Sequence, residues 1–69
     1  MKRKDRLSSK SMEAIEKIGE LLEDNPNGPY THNLIGMYLG TVAEKDGRET
    51  VNRVIRDMSL DVLYGFKAA

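Results

Sequence analysis

His32 is the only imidazole in the chain and there is no cysteine, which leaves little from which to build a catalytic centre. A general base needs a nucleophile or a substrate group held within its reach. Thr31, Ser59 and several carboxylates are available, but no spacing gathers them around His32. It falls in the first turn of a helix and reads as a surface residue beside a cap. Without cysteine there is neither a disulfide framework nor a cysteine-ligated zinc site. No enzymatic activity, cofactor, metal or small-molecule substrate is expected.

Three other groupings have a chemistry of their own. Asp46, Gly47, Arg48 and Glu49 superficially match the middle of a calcium loop, but the alternating oxygen ligands and the terminal glutamate are missing. They read as a helix cap. Gly36 and Gly40 have the G-x-x-x-G spacing that lets membrane helices approach closely. The apolar segment around them, 34–43, is about half the roughly 20 residues that a membrane span requires. Only the packing logic carries over: another helix, whether the first, the third or one from a second subunit, should lie close over Gly36 and Gly40, recovering a cost of about 1 kcal/mol for each interior glycine.

The third grouping is basic. Lys2, Arg3, Lys4, Arg6 and Lys10 stand against Asp5 alone, a net charge of +4 over residues 1–10. A flexible basic arm can reach phosphates or a minor groove, and Arg48, Asn52, Arg53 and Arg56 face outward together on one helix. These are candidate nucleic-acid contacts. Against them, Glu49 and Asp57 interrupt the helical face, and eleven basic side chains are balanced by eleven acidic ones. The whole chain is therefore no general polyanion binder.

Positioning any of these residues falls to helices, because no alternating strand pattern competes with the helical one. Residues 1–8 have nothing to bury and are expected as a flexible arm, with 9–69 forming one small domain. The first helix should begin near 10 or 12, capped by Ser9 or Ser11, and end near 23. Met12, Ile15, Ile18, Gly19 and Leu22 share one side of it at ~100° per residue. The other side is acidic: Glu13, Glu16, Glu20, Glu23 and Asp24 against Lys17, a net of −4 over 11–25. Glu13 and Lys17 have the favourable order for a surface pair.

Asn25, Pro26, Asn27, Gly28 and Pro29 must break the chain. Thr31 is the expected cap of the second helix, with Tyr30 stapled to Ile35 and a core stripe of Ile35, Tyr38, Leu39 and Val42. Asp46 and Glu49 have capping-box spacing for a third helix, while Gly47 is an alternative C-cap of the second. Val51, Val54, Ile55, Met58 and Val62 make the third stripe. Beyond Met58 the phase changes, since Leu60, Leu63 and Tyr64 turn to the side that was polar. A break at Ser59 is preferred over a continuous helix, with Gly65 as terminator and Phe66 left to tuck in or project.

The expected fold is all-α, a three-helix unit of hairpin 31–58 plus an N-terminal amphipathic helix, with a short fourth helix after Ser59. A buried aliphatic side chain contributes about 1.5–3 kcal/mol, whereas ordering each residue costs about 1.5 kcal/mol, so this unit is marginal alone. A homodimer or another protein partner is therefore expected, with Gly36, Gly40, Leu60, Leu63, Tyr64 and Phe66 at the interface. The alternative is a compact monomer in which Leu60, Leu63 and Tyr64 cover the end of the first two helices. A soluble, cytoplasmic, non-catalytic regulator or adaptor that does not enter membranes is the expected role. A small DNA-binding regulator is the alternative.

Overall fold

A computed structural model describes residues 7–68 of the chain. Within them are α1 (Ser9–Asp24), α2 (Thr31–Asp46), α3 (Arg48–Asp57) and α4 (Leu60–Tyr64), and no strand. The order is as the periodicity predicts. α2 is central: α1 packs along it and α3 follows it, while α4 packs on α3. Ala14 and Ile18 of α1, Ile35, Leu39 and Val42 of α2, and Val51, Val54 and Ile55 of α3 form one core with Leu60. Met12, expected in the α1 stripe, lies in solvent instead.

The ends of the helices depart from local capping rules because tertiary contacts claim the capping side chains. α1 is capped by Ser8, one residue earlier than expected, and the Ser8 Oγ accepts from the Ser11 amide at 3.2 Å. Ser8 is favoured over Ser9 and Ser11 because it also reaches across to α2. Its amide and hydroxyl donate to Asp46 Oδ2 at 3.2 and 3.0 Å. Asp46, still helical at the end of α2, consequently does not form the expected capping box with Glu49. Gly47 alone joins α2 to α3, at a φ of 92° that favours glycine, and its amide donates to the Ala43 carbonyl. On α1, Lys17 pairs with Glu20 at 3.9 Å rather than with Glu13.

The 25–30 loop is closed by Thr31, whose hydroxyl donates to the Asn25 carbonyl at 2.6 Å. Thr31 is therefore the first helical residue and not the cap, a position taken by Tyr30. Tyr30 is 70% exposed and so is not stapled over Ile35. Gly28 is required here, since an added Cβ would come within 2.8 Å of the Asn25 and Thr31 side chains.

The expected break at Ser59 is present as a left-handed residue, φ 58°. It redirects the chain so that Leu60 is fully buried, while Val62, predicted to extend the α3 stripe, is 81% exposed. Gly65 ends α4 at φ 80°, and the Phe66 amide donates to the Leu60 carbonyl at 3.3 Å. No helix among the described residues is long and apolar enough to cross a membrane.

Asp46 should give this fold an acid-sensitive joint. The Ser11 hydroxyl does most to hold its carboxyl below the ordinary value, although that buried hydroxyl completes no hydrogen bond of standard geometry. Burial opposes the shift, and the Ser8 hydroxyl and amide add to it. A depressed folded pKa stabilises above the unfolded value of about 3.9 and is lost as pH falls through the folded one. Asp46→Asn should therefore flatten the loss of thermal stability on acidification below about pH 4 relative to wild type. Ser8→Ala, which removes the cap, should cost about 0.5–2 kcal/mol at neutral pH in urea unfolding.

Candidate functional site

α2 exposes a strip of small residues beside its buried stripe, and the C-terminal segment folds back onto one end of it. Gly65 turns the chain so that Phe66 lies against Gly36, where a Cβ would stand 3.6 Å from the ring. His32, one turn earlier on α2, stacks on that ring at 4.6 Å between centroids and 11° between planes. Tyr64 lies tilted 6.5 Å from His32 and donates its hydroxyl to the Pro26 carbonyl at 2.6 Å. The sole imidazole is thus an aromatic packing partner. The neighbouring Thr31 hydroxyl is committed to Asn25.

One turn further along α2, nothing lies within 4 Å of where a Gly40 Cβ would be. The expectation that a helix covers both glycines is corrected for the helices of this chain: neither α1 nor α3 does so. An aromatic ring from the same chain covers Gly36, and Gly40 is open. A groove of about 360 Å³ runs from Phe66 past Gly40 to Ala43, with Val51 and Ile55 of α3 also lining it. Its charged lining side chains are Arg48 and Lys67, both exposed.

The rest of the predicted interface divides. Leu60 is core and leaves the set, because the left-handed turn at Ser59 points it inward. Tyr64 is half-buried and tied to Pro26, so the segment covers the α1–α2 end in part, as the compact alternative expects. Leu63 is 59% exposed on α4. Gly36, Gly40 and Phe66 come together on the groove.

The candidate nucleic-acid residues also separate. Asn52, Arg53 and Arg56 gather on a polar face of α3 that they share with Glu49 and Asp57. Arg48 instead lines the α2/α3 groove. The link between the two helices is the single Gly47, shorter than the three- to four-residue turn of a helix-turn-helix. Lys2, Arg3, Lys4 and Arg6 lie outside the described residues. No group of three or more His, Asp or Glu side chains able to hold a metal occurs among the described residues.

Sequence reasoning missed Lys67, which has no periodic signal because it lies beyond the last helix. It also assigned Arg48 to the wrong neighbours. The one-residue turn decides that, and a sequence with two possible caps leaves it open.

No protein family, characterised protein or solved structure matches this chain.

Gly40→Ala adds a methyl group to an exposed helical position with free space around it. In the isolated protein it should stabilise by about 1 kcal/mol, read from the urea midpoint at unchanged m. Destabilisation would mean that Gly40 is already packed.

Proposed function

We propose that this is a small, non-catalytic regulatory or adaptor protein that acts by binding another protein along the α2/α3 groove. The observation that carries the reading is Gly40. An interior helical glycine costs about 1 kcal/mol relative to alanine, and close packing usually recovers it. Gly36 has the edge of the Phe66 ring beside it, whereas Gly40 has nothing above it within the described chain. A partner seated on that strip supplies what the fold lacks. Leu63 on α4 adds exposed apolar surface, and Tyr64 and Phe66 anchor its segment to the same face of α2. A second copy of the chain is the other natural occupant, and a chain without cysteine suits the cytoplasm.

Photo-crosslinking in cells tests this reading. A photoreactive residue at position 40 or 63 should give a discrete heavier adduct, with none from position 13 on the outer face of α1. An adduct from 13 as strong as that from 40, or none from 40, would contradict it.

A second reading, DNA binding, is favoured by one feature. Arg53 and Arg56 are exposed on α3 with no ion pair within 4.0 Å among the described residues. Phosphates could meet these two guanidinium groups, and the basic residues of the N-terminal sequence are further candidate contacts. If it operates, deleting residues 1–6 should weaken DNA binding and lower its salt dependence, by roughly 0.9 in slope for every phosphate left without a cation. An adaptor would bind its partner unchanged.

A further inference from the structure

We infer that the groove between α2 and α3 takes an acidic peptide segment, seating an apolar or aromatic side chain on Gly40 and its carboxylates on Arg48 and Lys67. The inference rests on the docking role proposed above and names the chemistry of the partner. The chain itself supplies the template. Phe66 stacks on His32 and meets Gly36 with the Cε1–Cζ edge of its ring, 3.6 Å from where a Cβ would stand, so an aromatic side chain fits beside a glycine of this strip. Gly40 repeats that position one helical turn along, with open space above it. A partner's Phe or Leu there extends the row that Phe66 begins.

Charge selects the partner. Both ionised side chains lining the groove are cations, and the nearest acid along α2, Glu44, is not among its lining residues. Arg48 is the first residue of α3, and the first turn of a helix disfavours a cation because the helix dipole is positive there. Neither Arg48 nor Gly40 is what local helix stability selects, and both lie on the same groove. An incoming carboxylate at this end satisfies Arg48 and meets the α3 dipole with the favourable sign.

The probe is a fluorescein-labelled peptide of about twelve residues carrying one Phe flanked by glutamates, titrated with the full chain by anisotropy. Its control has lysines for glutamates. The acidic peptide should bind about tenfold more tightly than the basic one, and the preference should shrink with added salt. Gly40→Leu, which fills the site, should abolish binding while helix content stays intact. Arg48→Glu with Lys67→Glu should reverse the preference between the peptides. Equal binding of both peptides, still blocked by Gly40→Leu, would overturn the charge selection and leave the groove as a docking face. Binding that survives Gly40→Leu, or no binding of the acidic peptide, would overturn the inference itself. The crosslinking from position 40 reports separately on whether the face is used at all.

Discussion

The fold depends on the apolar stripe of α2, where Ile35, Leu39 and Val42 are the side chains onto which α1 and α3 close. With four helices among the described residues and no cysteine in the chain, one continuous core does the burying there. The two faces of α2 differ. One carries branched aliphatics, and the next is reduced to Gly36, Gly40 and Ala43. The stripe makes the protein fold, and the bare strip beside it makes a groove.

The second constraint is the packing of residues 60–66 against the helices before them. Leu60 completes the core, Tyr64 ties down the 25–30 loop, and Phe66 fills the space over Gly36. Each depends on a backbone residue in the left-handed region, Ser59 before α4 and Gly65 after it. For Gly65 that conformation is easy. For Ser59 it is unfavourable, and burial of Leu60 outweighs the cost.

Helices and their order were legible from the 3.6-residue period, and so was the break at Ser59, because the apolar phase visibly jumps there. Cap assignments were less so. Asp46 has the spacing of a cap for α3 and Ser8 caps α1, yet the two bond to each other across 38 positions of chain, and local rules contain no information about that. Val62 was misread for a related reason. Extending the α3 stripe through Ser59 assumes a straight axis, and a single left-handed residue redirects it. At the candidate site, Gly36 and Gly40 were recognisable by spacing, but which of them would be covered depended on the return of Phe66 from beyond the final helix.

If the α2 stripe holds the structure together, it must be the last part to open. Amide hydrogen exchange of the isolated chain measures this directly. The slowest amides should be those of Ile35, Leu39 and Val42, with opening free energies equal to that of global unfolding, while α4 exchanges faster. Slowest exchange in α1 or α3, with α2 opening before them, would contradict the central place given to α2.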